Sequence, residues 1–131
     1  MERDAYLQMR ALQSTHWWFC ARRKVLDALM RGMNLPKDAR ILEAGCGPGG
    51  NFELLSRFGS IDAFDMDAAT VESCIEEFGV ACVQGKQPAE HPFHGSHRFD
   101  LVAALDVLEH VDEDVESLRS LASCLAPGDR V

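Results

Sequence analysis

The sequence predicts an α/β fold in which a parallel sheet is covered by helices on both faces. Three observations carry that expectation. Short apolar runs alternate along the chain with stretches of helical periodicity. A glycine cluster, Gly45-Cys46-Gly47-Pro48-Gly49-Gly50, stands where one such run meets the helix after it. At 131 residues, 47% hydrophobic and 26% charged, the chain has the balance of one soluble globular domain over 1–131, with no repeat or linker. Right-handed crossovers in such folds leave ligand crevices at the carboxyl ends of the strands, so function is sought there.

Residues 1–36 are expected to be an N-terminal helical segment and 37–131 the sheet-bearing core. Phe19, Val25, Leu26, Leu29, Met30 and Met33 share one face of a helix over 19–33, which Asn34-Leu35-Pro36 closes. Arg40 to Ala44 reads as the first strand and runs into the glycines; Phe52, Leu54, Leu55 and Phe58 then mark a helix ending at Gly59. Ile61 to Asp65 is the second strand. Asp67 is the expected N-cap of a helix carrying Ala68, Val71, Cys74, Ile75 and Phe78 before Gly79. Val80 to Val83 is a third strand, 85–98 a loop, and Phe99 to Leu105 a fourth strand that is nearly all apolar. Val111, Val115, Leu118, Ala122 and Leu125 space a last helix, with Asp112-Glu113-Asp114 at its N-terminus and Pro127-Gly128 as its stop.

Charge and cysteine content narrow the function. Thirteen basic against 21 acidic residues give a formal charge of -8, which disfavours nucleic acid and acidic membranes as partners. Cys20, Cys46, Cys74, Cys82 and Cys124 are odd in number, widely spaced and without a CxxC pair. They read as reduced thiols of a cytoplasmic protein rather than a disulfide framework or a zinc site. No signal peptide or membrane span is visible.

The glycine turn carries the strongest functional signal. Glycines between strand and helix let the backbone approach a ligand, whose polar groups meet the N–H groups of the helix start. About 20 residues on, at the end of the second strand, Asp65 is placed to accept hydrogen bonds from ribose hydroxyls. Together they read as a nucleoside site. Gly45-x-Gly47-x-x-Gly50 also fits the dinucleotide fingerprint, so a nicotinamide oxidoreductase domain is the competing reading and a non-catalytic binding module the third. Glu43 separates the first two, because it would repel a pyrophosphate and attract the ammonium of a methionine moiety.

ILEAGCGPGG, AFDMD, FDLVAALDVLEHV and LAPGDRV, in that order, resemble a class I S-adenosylmethionine-dependent methyltransferase from about Arg40 onward. The resemblance implies a Rossmann-like three-layer α/β/α sandwich with a mostly parallel sheet, and S-adenosyl-L-methionine as cofactor. It places Glu43, Gly45, Cys46, Gly47 and Gly49 along the methionine end, Asp65 on the ribose and Met66 against the adenine. Leu105, Asp106 and Val107 follow the fourth strand where cofactor and acceptor meet. Where the family often has Gly-Asp-Ala after the third strand, this chain has Gly85-Lys86-Gln87, leaving Gln87 to supply the adenine acceptor and implying weaker affinity. His110 is the candidate base, against the plainer reading that it caps or packs at the next helix. Asp106, Glu109 and His110 also resemble the ligands of a metal-dependent subset, but no metal site is expected.

Thr15-His16-Trp17-Trp18-Phe19 with Arg22 and Arg23 resembles a segment of bacterial methyltransferases associated with glycan and lipid-carrier tailoring. An arginine there would meet the cofactor carboxylate, while at least one tryptophan is expected to clamp the N-terminal helix to the sheet. The implied acceptor is a small molecule or a lipid- or glycan-linked group. His91, His94 and His97 are expected in a solvated loop, since Pro92 and Gly95 prevent one helical face from gathering them. The family usually carries seven strands, and this chain stops where the fifth is expected to begin. An order of 3-2-1-4 would leave the fourth strand as an exposed apolar edge open to self-association.

Overall fold

The structure is a computed structural model describing residues 3–105 and 107–130, without the side chains of residues 128–130. Two helices come first, α1 (Arg3–Leu12) and α2 (Trp17–Arg31). The strands β1 (Ala39–Ala44), β2 (Gly59–Asp65), β3 (Ala81–Gln84), β4 (Phe99–Ala103) and β5 (Leu125–Arg130) follow. Between them lie α3 (Phe52–Ser56) and α4 (Ala68–Phe78), then a 3-10 turn (Leu108–His110) and α5 (Asp114–Ala122). The sheet order is β3-β2-β1-β4-β5 and every pairing is parallel.

Central β1 is buried on both faces. Ile41 packs with Met30 and Leu55 beneath α2 and α3, while Leu42 and Ala44 pack with Phe64, Phe99, Val102 and Leu121 beneath α5. Ala63, Val71, Cys74 and Cys82 fill the space under α4. This is the three-layer sandwich that a run of non-alternating apolar residues demands. Gly59 opens β2 directly against β1, where a β-carbon would lie 1.9 Å from the carbonyl oxygen of Ala39. Only glycine fits. Asp67 caps α4 by accepting from Thr70 N at 2.9 Å and Thr70 Oγ1 at 2.6 Å, and Gly79 ends it in the left-handed region at φ 65°.

Several expectations are corrected. β4 is no edge: β5 pairs with it, through a register shift between Phe99 and Leu101, so the route to self-association through β4 is closed. Pro127 and Gly128 therefore lie in a strand rather than ending a helix, and α5 stops at Ala122. The strand breaks before Leu105, and Val111 precedes α5 instead of opening it. Val25 and Leu29 are exposed, leaving Met30 as the buried anchor of α2. The loop over 85–98 is not wholly solvated either. His91 is 8% exposed, its ring 4.7 Å from that of Phe64 and its Nε2 3.5 Å from Cys124 Sγ. His94 Nδ1 lies 2.9 Å from Ser120 Oγ, and His97 Nδ1 lies 3.3 Å from the Leu125 carbonyl. The histidines fasten the β3–β4 connection to α5 and β5, a use that their spacing did not disclose.

Candidate functional site

The carboxyl ends of β1, β2 and β4 converge on the glycine turn. Gly45 and Gly47 adopt φ of 68° and 53°, bending the chain back over β2, and Gly45 and Cys46 donate their N–H groups to the Phe64 carbonyl at 2.9 and 3.1 Å. Asp65 braces the turn from below, accepting from Gly47 N at 3.0 Å on one oxygen and from Asp67 N at 3.1 Å on the other. Gly49 N reaches the Cys46 carbonyl at 3.2 Å. The N–H groups of Gly45, Cys46, Gly47 and Gly49 are thus used internally rather than offered to a ligand, which departs from the sequence expectation. A β-carbon on Gly45 would sit 2.6 Å from Val107 Cγ2, so the segment after β4 closes directly onto the turn.

Glu43 lies beneath this turn at 1% exposure. Its Oε1 accepts from Asn51 Nδ2 at 3.1 Å, while its Oε2 is enclosed with no hydrogen-bond partner. Burial pushes its pKa from 4.5 up to about 8, with Cys74 and Asp65 adding to the rise and the Asn51 hydrogen bond and Arg22 opposing it. An acid held neutral by desolvation, with one oxygen unmade, is arranged to ionise when a cation arrives.

The N-terminal segment forms the outer wall. Gln13 Nε2 donates to the Pro48 carbonyl at 3.3 Å, and Arg23 Nη1 reaches the Gly50 carbonyl at 3.5 Å. Arg10 ties α1 to α4 through Ser73 Oγ at 3.0 Å and Glu77. Nothing in the sequence singled out Gln13 or Asn51. Asn51 follows the glycines and could have been weighed as a partner for Glu43; Gln13 carries no local signal.

The chain matches the methyltransferase domain family over residues 15–131. It belongs to that family. A relative from Caulobacter sp. (strain K31) named ubiquinone biosynthesis O-methyltransferase is 34% identical over 94 residues, 68% of this chain and 37% of that protein. One of the same name from Xanthomonas campestris pv. campestris is 34% identical over 113 residues, 79% of this chain and 45% of that protein. The chain therefore spans about two-fifths of the curated relatives it matches. Among solved structures, a candidate S-adenosyl-L-methionine-dependent methyltransferase from Methanococcus maripaludis superposes with a TM-score of 0.82 at 16% identity, covering 98% of this chain and 61% of the other. A TehB-like methyltransferase from Corynebacterium glutamicum gives 0.76 at 22% identity, covering 96% and 67%. Those likenesses show the fold, a Rossmann-like α/β sandwich.

In this methyltransferase domain the remaining expected site residues fall into distinct settings. Met66 is exposed just past Asp65, Leu105 and Val107 are half-buried after β4, and Asp106 lies outside the described residues. The Cys46 side chain turns inward to meet Cys82, so only its backbone borders the crevice. Gln87 is buried with both amide atoms unpaired, so it reaches a ligand only if its loop gives way. His110 is exposed on the 3-10 turn, and Glu109 beside it is exposed as well. Trp17 and Trp18 are 72% and 52% exposed, so neither clamps α2 to the sheet. His16 caps that helix instead, its Nδ1 accepting from Trp18 N at 3.3 Å. Among the described residues no helix is long and apolar enough to cross a membrane.

Proposed function

We propose that this chain carries the S-adenosyl-L-methionine-binding part of a cytoplasmic methyltransferase acting on an oxygen of a small-molecule or lipid-linked acceptor. The unpaired, buried Oε2 of Glu43 at the glycine turn carries the reading, because a buried acid oxygen without a hydrogen-bond partner calls for a donor from a ligand, and an ammonium both donates to it and favours its ionised form. The residues present fit the cofactor. When bound, it supplies a methyl group on a sulfonium centre, open to in-line displacement. Glu43 takes the ammonium of the methionine portion, and the backbone at Gly45, Cys46, Gly47 and Gly49 lets that portion lie close. Asp65, already fixed by two backbone donors, receives the ribose hydroxyls. Met66 covers one adenine face, and Gln87 supplies an amide to its edge once the loop opens. Leu105 and Val107 would border the methyl-bearing end, Asp106 is the acidic member of the same motif, and His110 would accept the acceptor's hydroxyl proton. The helical segment 1–36 and the core 37–131 act here as one cofactor-binding unit. The name shared by the curated relatives supports an oxygen acceptor.

The nicotinamide alternative is opposed by the same features. A pyrophosphate would face Glu43, the N–H groups of Gly45, Cys46, Gly47 and Gly49 are engaged, and α3 has only 5 residues. Calorimetric titration with S-adenosyl-L-methionine, S-adenosylhomocysteine and NAD tests the reading. Saturable binding of the first two, weakened at least tenfold in Asp65→Ala, is expected; binding of NAD alone overturns it.

A further inference from the structure

Three cysteines from separate elements meet behind the glycine turn: Cys46 from the turn, Cys74 from α4 and Cys82 from β3. Cys46 Sγ and Cys82 Sγ are 3.8 Å apart, and Cys74 Sγ donates to the Gly47 carbonyl at 3.3 Å. All five cysteines are free thiols, and among the described residues no group of three side chains converges as metal ligands would. The remaining chemistry open to such a pair is covalent. We propose that Cys46 and Cys82 are an oxidative-modification site, closed by hydrogen peroxide into a disulfide that pulls the glycine turn out of its cofactor-binding shape.

The Cys82 sulfur, as thiolate, attacks one peroxide oxygen; the O–O bond breaks, and the departing hydroxide takes a proton to become water. The resulting sulfenic acid is attacked by Cys46 sulfur. The S–O bond breaks, a second water leaves with the Cys46 proton, and the S–S bond forms. Two thiols lose two electrons and one peroxide becomes two waters. A hydrogen bond from the Cys46 thiol lowers the Cys82 pKa, which favours Cys82 as the attacking sulfur. Cys46 and Cys82 are buried to 5% exposure each, so the oxidant must be close to water in size.

The consequence follows from distance. An S–S bond of about 2.05 Å requires the sulfurs to close by roughly 1.8 Å. Cys82 is held in the β2–β3 ladder opposite Ala63, whereas Cys46 hangs between Gly45 and Gly47 on the turn. The turn yields, and the Gly47–Asp65 and Cys74–Gly47 contacts with it. The loss of cofactor affinity rests on the function proposed above; the bond itself and the turn displacement do not.

The test treats the reduced chain with hydrogen peroxide and reads intact mass, peptide linkage, amide exchange and S-adenosyl-L-methionine affinity. A loss of two hydrogens in a peptide joining Cys46 to Cys82, faster exchange across the glycine turn and roughly tenfold weaker binding, all reversed by dithiothreitol, are expected. Cys82→Ser should abolish these changes and Cys20→Ser should retain them. Oxygen addition without linkage, or Cys46 joined elsewhere, overturns the site. A Cys46–Cys82 bond with unchanged exchange overturns the displacement. A reduced chain that never binds the cofactor counts against the proposed function alone, because mass and exchange still report on the site.

Discussion

On the proposed function, Glu43 couples cofactor binding to a proton. Its pKa of about 8 in the folded chain lies above its ordinary 4.5, so stability declines as pH rises from about 4.5 toward 8. Glu43→Gln removes that cost and should stabilise the empty chain at pH 7 by on the order of 1–3 kcal/mol in denaturant melts, while weakening cofactor binding. Binding by the wild-type chain should expel a proton at pH 7, with affinity rising toward pH 8; calorimetry in buffers of different ionisation enthalpy reads both. His91 has the opposite sign. Burial pulls its pKa from 6.5 down to about 4, so stability should fall as pH drops through that window and level off below it, by about 1–3 kcal/mol. His91→Phe should flatten the profile. The position of Glu43 and Asp65 at the glycine turn was legible in the sequence because each stands at a fixed distance from the glycines. His91 was not: its partners, Phe64 and Cys124, are brought to it only by the folded sheet.

Helix α4 and strand β2 show local chemistry agreeing with the fold. Asp67→Ala should cost about 1 kcal/mol in thermal or denaturant melts, since it strips the hydrogen bonds to Thr70 from the head of α4. Gly59→Ala should cost about 3 kcal/mol or more, because the added carbon meets β1 backbone that cannot retreat without breaking the ladder. The periodicity revealed α4 for the same reason that it is stable, a cap followed by apolar residues at helical spacing. It failed at β5, where Pro127 and Gly128 look like helix terminators. A strand at the sheet margin tolerates them, pairing with β4 on one side only and through a register shift. It failed again at α2, whose apolar face is covered only in part, with Met30 buried and Val25 and Leu29 exposed.

Across the whole molecule, the order β3-β2-β1-β4-β5 puts β1 and β4 inside the sheet and the glycine turn above its middle. Amides of β4 should accordingly exchange as slowly as those of β1, and slower than those of β3, in hydrogen-exchange measurements. Fold class and strand order through β4 were readable from pattern and motif, as was the placing of Glu43 and Asp65 beside the glycine turn. The outer wall was not, because α1 touches the site only through contacts distant in sequence. That arrangement also bears on how the protein is made. Arg10 meets its partners 63 and 67 residues later, and Gln13 meets Pro48 35 residues later. Helix α1 is therefore synthesised well before the helix that receives it, and it waits undocked until translation has delivered α4.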